Sequence, residues 1–307
     1  MAEALIAIID LGTNTFNLLI GEQKKGGKII HTEKRLVKLA EGSDNLDYIR
    51  NEPYQRALSA IREYKQTIEE NGITEVFAYA TSGLRSSGNG DQFVLDCWMN
   101  YKIQIQIIDG IKEAELISKG VIGAFPDTIS STLVIDIGGG STEFCIIKDG
   151  VNVWSKSYKL GASRLKENLQ PNDPLSVKDI MTFDALFEAE LQDVIKQTKL
   201  HSVKTMIGSS GSFDTLVDII ELESGSKQSD PYYHFVMKDF ERTHKTMLNN
   251  DIAFRLKIPG MIPLRAELMP IATLLTSFVI NQCEINQLSM SRYSLKEGAF
   301  FNHQNLA

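Results

Sequence analysis

Three glycines in a row between two carboxylates are the first feature of this chain that could do chemistry. The stretch is Asp136-Ile137-Gly138-Gly139-Gly140-Ser141-Thr142-Glu143, and it closes an apolar run. Glycine N–H groups, unshielded by side chains, can converge on an anion. Ser141 and Thr142 add hydroxyl donors. Asp136 and Glu143 supply hard oxygen ligands of the kind magnesium (Mg2+) takes, directly or through its waters. The Gly-Lys-Ser/Thr ending of a Walker A loop is absent. A hairpin turn alone does not need three glycines.

A second stretch, Asp10-Leu11-Gly12-Thr13-Asn14-Thr15, follows the apolar run Leu5 to Ile9. Asp10 is a further candidate metal ligand, and Gly12, Thr13, Asn14 and Thr15 are candidate phosphate contacts. A third stretch, Gly208-Ser209-Ser210-Gly211-Ser212, follows an expected strand at Thr205 to Ile207 and leads into a helix from Phe213. Helix N-termini attract anions through free N–H groups and the helix dipole. Taken singly, the second and third stretches read equally well as tight turns.

The elements that must hold these loops show an internal echo. Ala7-Ile8-Ile9-Asp10-Leu11-Gly12 is matched by Leu133-Val134-Ile135-Asp136-Ile137-Gly138, with hydroxyl residues close behind each and another β-rich run after it. The first copy turns at Lys24-Lys25-Gly26-Gly27 and the second at Lys148-Asp149-Gly150. Such a repeat predicts two similar lobes, each opening with a hairpin. Strand and helix patterns alternate in both halves, which argues for α/β lobes. Helices are expected over Pro53 to Asn71, from Lys112 onward, over Val177 to Thr198, and over Leu264 to Ile280. Strands are expected over Val76 to Ala80 and Ile103 to Ile108. The boundary is placed near Gly123 to Asp127, giving an N-terminal lobe 1–124 and a C-terminal lobe 125–294. The segment 295–307 is expected to return to the first lobe.

The chain has 307 residues and a formal net charge of −7, which disfavours general nucleic-acid binding. A polyanionic substrate remains compatible if amides, selected arginines and a metal make the site locally positive. No apolar stretch reaches the ~20 residues of a membrane span, and none has the layout of a signal peptide. Cys97, Cys145 and Cys283 lie inside apolar segments and read as core residues. A cytoplasmic, non-membrane location is the expectation. The five histidines form neither an HExxH pattern nor a His-Asp doublet.

Taken in order, these pieces resemble the exopolyphosphatase/guanosine pentaphosphate phosphohydrolase (Ppx/GppA) family. The residues that carry the resemblance are Asp10 to Thr15, Ala80-Thr81-Ser82-Gly83-Leu84-Arg85, Glu113-Ala114 with Gly120-Val121, and Asp136 to Glu143. Leu160-Gly161-Ala162-Ser163-Arg164-Leu165, Gly208-Ser209-Ser210-Gly211, and Pro259-Gly260 with Arg265 also match. The match covers nearly the whole chain. It implies an α/β fold of two actin-like (ribonuclease H-like) lobes around an interlobe cleft, and magnesium-dependent hydrolysis of terminal phosphates. It implies Asp136, helped by Asp10 and Glu143, as the metal ligands.

Glu113, a surface carboxylate when read alone, becomes the implied general base. Arg85 and Arg265 become phosphate-facing cations. Many relatives carry Glu where this chain has Lys112. The short two-domain form, without the His-Asp helical domain of longer members, is expected. Substrates implied are inorganic polyphosphate or guanosine pentaphosphate, and a homodimer is expected. A kinase of the same superfamily and a non-catalytic guanosine tetra- or pentaphosphate sensor are the rival readings.

Overall fold

The computed structural model describes residues 4–43, 46–125, 127, 129–225 and 228–304. Its N-terminal sheet contains β1 (Leu5–Leu11), β2 (Thr15–Glu22), β3 (Ile29–Leu36), β4 (Glu75–Ala80) and β5 (Ile105–Ile107), in the order β3-β2-β1-β4-β5. The C-terminal sheet contains β6 (Thr132–Ile137), β7 (Thr142–Lys148), β8 (Val151–Tyr158), β9 (Thr205–Ser209), β10 (Tyr232–His234) and β11 (Gln287–Ser291). Its order, β10-β11-β9-β6-β7-β8, is the first sheet's order read backwards with β10 added at the edge. β1 pairs antiparallel with β2 and parallel with β4, and β6 does the same with β7 and β9. The sequence echo is therefore an echo of topology.

The helices are α1 (Asn51–Glu70), α2 (Ser82–Arg85), α3 (Gly90–Tyr101), α4 (Gly110–Ala124), α5 (Ala162–Leu169), α6 (Val177–Glu190) and α7 (Gln192–Leu200). After them come α8 (Gly211–Ser224), α9 (Met237–Asn249), α10 (Ile252–Arg255), α11 (Pro263–Ala266), α12 (Met269–Gln282) and α13 (Leu295–Gln304). None is long and apolar enough to cross a membrane, among the described residues. The three cysteines are buried and unpaired with one another.

β1 is apolar without alternation because both of its faces are covered. Ala7, Ile9 and Leu11 join the N-terminal core with Ala57, Ile61 and Tyr64 of α1. The opposite residues, Ile6 and Ile8, join a central cluster with Ile117 and Val121 of α4, Val134 and Cys145 of the second sheet, and Ala299 and Phe300 of α13. This cluster joins the two halves. α13 packs along α4 and against β1 and β2. A Cβ on Gly120 would run into the Ser294 carbonyl, and one on Gly298 into the Leu116 carbonyl. That crossing leaves no room for side chains. Pro126 of the expected boundary and residues 305–307 of the returning segment lie outside the described residues.

Two helices expected to be continuous are broken. Val177 to Thr198 divides into α6 and α7 at the buried Leu191. Phe183, Phe187, Leu191, Val194 and Thr198 all face the core, so the apolar period runs through the break without a Gly or Pro to mark it. Leu264 to Ile280 divides into α11 and α12. Pro270 falls in the first turn of α12, where a missing N–H costs nothing. The short α11 turn carries Arg265.

Candidate active site

β1 and β6 end at the same cleft, and each brings one aspartate to it. Asp10 stands opposite Asn17 across the first hairpin, and Asp136 opposite Glu143 across the second. The same bond closes both turns: Gly12 N–H donates to the Thr15 carbonyl at 3.1 Å, and Gly138 N–H to the Ser141 carbonyl at 3.0 Å. The turns lean against each other. A Cβ on Gly139 would touch Asn14 and Thr13, and one on Gly140 would touch Ser82 and Thr13. The glycines therefore allow the two loops to approach as well as baring their amides.

The turn before α5 ties off the carbonyls of the glycine loop. Ala162 N–H donates to Gly138 O and Arg164 N–H to Gly139 O, both at 2.9 Å. Arg164 Nε donates to Gly140 O at 2.7 Å, while its Nη2 reaches Ser86 Oγ of the other half at 3.0 Å. Asn14 Nδ2 donates to Ser163 Oγ at 2.9 Å. With its carbonyls held on one side, the loop has the N–H groups of Gly139, Gly140 and Ser141 without a protein acceptor among the described residues. Those of Thr13 and Asn14 are likewise without one. Five amides of this kind on two facing loops are donors that an anion could accept from.

Glu113 enters from the first turn of α4. Asp109 caps that helix by accepting from Lys112 N–H at 2.8 Å, which fixes where the helix starts and so where Glu113 points. The carboxyl is buried and lines the cleft. Arg85 Nη1 donates to its Oε2 at 2.8 Å. Burial, then the nearby Glu143, push the Glu113 carboxyl above the usual carboxylate range, and Arg85 opposes them. Burial and Asp136 raise Glu143 to about 7 against donors at Ser141 and Ser157. Burial raises Asp10 to about 6, opposed first by Lys296 and then by the Asn17 hydrogen bond. Asp136 Oδ2 accepts from Ser209 and from Ser294, each at 2.6 Å.

Of the residues singled out from sequence, Asp10, Gly12, Thr13, Asn14, Thr15, Glu113, Asp136, Gly138, Gly139, Gly140, Ser141, Glu143, Ser210, Gly211 and Arg265 line this cleft. Four others do not. Thr142 is fully buried and its Oγ1 donates to Leu160 O at 2.9 Å. It starts β7 and points away from Glu143, because neighbouring strand residues face opposite sides. Gly208 lies against the Phe213 ring. Ser209 acts on Asp136 instead of facing the cleft. Arg85, expected to face phosphate, gives its Nη1 to Glu113 and to the Ile108 carbonyl.

Arg265 is 8% exposed, and its guanidinium has no hydrogen bond or ion pair to a described residue. It lies against Gly211, where a Cβ would collide with it. Lys34, Asp214, Arg292, Ser294 and Lys296 also line the cleft and were not singled out from sequence. They lie outside the motifs read from sequence and gave no signal there.

Among the described residues no three or more of His, Cys, Asp and Glu are grouped so that they could together hold a metal ion. The donor set nevertheless suits magnesium, which takes one or two carboxylates and completes its shell with waters and phosphate oxygens. Asp136 raises both Asp10 and Glu143 by its charge; Asp136 and Glu143 are buried and Asp10 is half-buried. A divalent cation would relieve that repulsion.

The model of a family described as the Ppx/GppA phosphatase family matches residues 19–306. An exopolyphosphatase from Cytophaga hutchinsonii is 31% identical in sequence, with 99% of this chain and 98% of that one superposed at a TM-score of 0.94. Exopolyphosphatase 2 of Mycobacterium tuberculosis is 30% identical over 227 residues, which is 70% of each chain. A bifunctional 3-dehydroquinate synthase/phosphatase of Fusobacterium nucleatum is 32% identical over 71% of this chain, and the match spans 34% of that longer protein. A Ppx/GppA protein of Aquifex aeolicus, 21% identical with a TM-score of 0.79 over 97% of each chain, shares the two-sheet, actin-like α/β fold.

Proposed function

The chain belongs to the Ppx/GppA phosphatase family, and on that footing we propose that it is an exopolyphosphatase releasing the terminal phosphate of inorganic polyphosphate. One observation carries this reading above the others: a buried carboxylate, Glu113, shares a cleft with five unpartnered amides and the unpartnered guanidinium of Arg265. An anion site beside a base suits hydrolysis of a phosphate.

In this account the amides of Thr13, Asn14, Gly139, Gly140 and Ser141 seat the terminal phosphoryl group. Arg265, from α11, holds the substrate next to it. Glu113, oriented by Arg85, takes a proton from a water as the water oxygen bonds to phosphorus. The bridging P–O bond breaks, and orthophosphate leaves with a chain one phosphate shorter. Asp136, helped by Asp10 or Glu143 and by waters, would hold magnesium, which would neutralise charge on the phosphate oxygens. Ser209 and Ser294 fix the Asp136 carboxylate. Phosphoryl transfer gains mainly from such positioning and electrostatics.

Inorganic polyphosphate is preferred to guanosine pentaphosphate because no aromatic ring lines the cleft among the described residues. A purine would have only Ile117, Ile137 and Leu295 to pack on. The test is phosphate release from polyphosphates of several lengths, guanosine pentaphosphate and ATP, with magnesium and no added acceptor. Release from polyphosphate supports the proposal. Turnover of ATP only when an acceptor is added would point to a kinase, and guanosine pentaphosphate binding without turnover to a sensor.

A further inference from the structure

One wall of the cleft carries an acid where a polyanion site calls for none. Asp214 lies in the first turn of α8, three positions after Gly211, and faces the cleft. Four cations line the same region: Lys34 from β3, Arg265 from α11, Arg292, and Lys296 from α13. None comes within 4 Å of the Asp214 carboxylate, which has no hydrogen-bond partner among the described residues. Burial raises its pKa above the usual carboxylate value, and all four cations oppose that rise.

The four cations are not equivalent. Arg292 is paired with Glu221 at 3.8 Å and Lys296 with Glu297 at 2.8 Å. Arg265 and Lys34 have no anionic partner among the described residues. They stand on different sheets' sides of the cleft and repel each other, so that Arg265 is the strongest charge acting on the Lys34 ammonium. Two unpartnered cations converging from opposite walls make an anion subsite, and Arg265 is more than nine-tenths buried in it. Asp214 is set among them as an acid without a direct partner among the described residues.

Building on the polyphosphate reading, we propose that Lys34 and Arg265 bind the part of the substrate behind the reacting phosphate, and that Asp214 selects among substrates by penalising added negative charge there. Lys34 and Arg265 balance a limited number of phosphates. Each phosphate beyond that number meets Asp214 uncompensated. A unit-charge repulsion at about 10 Å and an effective dielectric near 20 corresponds to roughly a tenfold change in affinity. The residue is a specificity determinant and takes no part in bond breaking.

The experiment is a direct binding titration, at constant ionic strength, of tripolyphosphate and of chains several times longer. It uses the wild type, Asp214→Asn, Asp214→Glu and Lys34→Gln. The neutral Asp214→Asn should improve long-chain affinity relative to tripolyphosphate by about tenfold, an effect that shrinks as salt rises. Asp214→Glu keeps the charge and should keep the wild-type ratio. Lys34→Gln should shift the ratio against long chains. An equal change for all lengths in Asp214→Asn, or none, overturns the proposal, as does an altered ratio in Asp214→Glu. Phosphate release is scored separately. Length-selective binding without release would refute the exopolyphosphatase reading while sustaining this one, and no binding of any polyphosphate would refute both.

Discussion

Arg85 Nη1 sits 2.8 Å from Glu113 Oε2 and 2.8 Å from the Ile108 carbonyl, so one nitrogen ties the candidate base to the end of the strand behind it. The guanidinium favours the ionised carboxylate that burial and Glu143 disfavour. A base must be ionised to act, so kcat/KM should fall as pH drops through the raised Glu113 pKa. Arg85→Ala removes the lowering influence, and the acid limb of the profile should move to higher pH at saturating magnesium. Turnover should fall about 10- to 100-fold, the worth of a charged hydrogen bond. In Glu113→Gln the further Arg85→Ala change should cost little. An unshifted limb in Arg85→Ala would leave Arg85 without this role.

Gly211 and Arg265 form a second testable pair. A Cβ at Gly211 would occupy the space of the Arg265 guanidinium. Gly211→Ala should therefore behave like Arg265→Ala, raising KM for polyphosphate by roughly 10- to 100-fold. Steady-state kinetics on both variants and the double variant decides this. Additive losses would mean that Gly211 acts independently of Arg265.

The metal assignment predicts that excess chelator abolishes turnover and that magnesium restores it. Asp136→Asn should be folded and severely impaired. Ser209 and Ser294 hold one Asp136 oxygen between them. Removing either hydroxyl with Ala should raise the magnesium concentration needed for half-activity about 10-fold or more. Unchanged magnesium activation in both serine variants would separate these hydroxyls from the metal.

Stability should depend on pH through a residue far from the cleft. His244 stacks on Phe240, its Nδ1 has no hydrogen-bond partner, and burial pushes its pKa from 6.5 to about 4. The folded state disfavours the charged ring, so this contribution is complete above pH 6.5 and is lost as pH falls toward 4. Allowing for partial solvent screening, it amounts to roughly 1–2 kcal/mol. Urea unfolding across that range should show a flatter pH dependence in His244→Phe than in wild type. Parallel curves would contradict the assignment.

The glycine loop was legible because three glycines between carboxylates exceed what a turn uses, and the repeat made Asp10 the counterpart of Asp136. Strand alternation misled at Thr142 and Gly208, which share a motif with cleft residues yet face the other way. The α6–α7 break left no mark because Leu191 keeps the apolar period intact. Ser294 reaches Asp136 across 158 positions of sequence, a pairing that only the packing of α13 against α4 creates. Lys34, Asp214 and Lys296 belong to no motif of the sequence, and they acquire meaning only where both sheets meet at one cleft.

The most direct test of the account is Glu113→Gln, which keeps the side chain's size and hydrogen bonding but removes the basic oxygen. Phosphate release at saturating polyphosphate should fall by about 10²–10⁴-fold, the usual worth of general-base catalysis. A binding titration of the same variant should show polyphosphate affinity retained. Near-wild-type kcat in Glu113→Gln would contradict the claim that this buried carboxylate activates the attacking water.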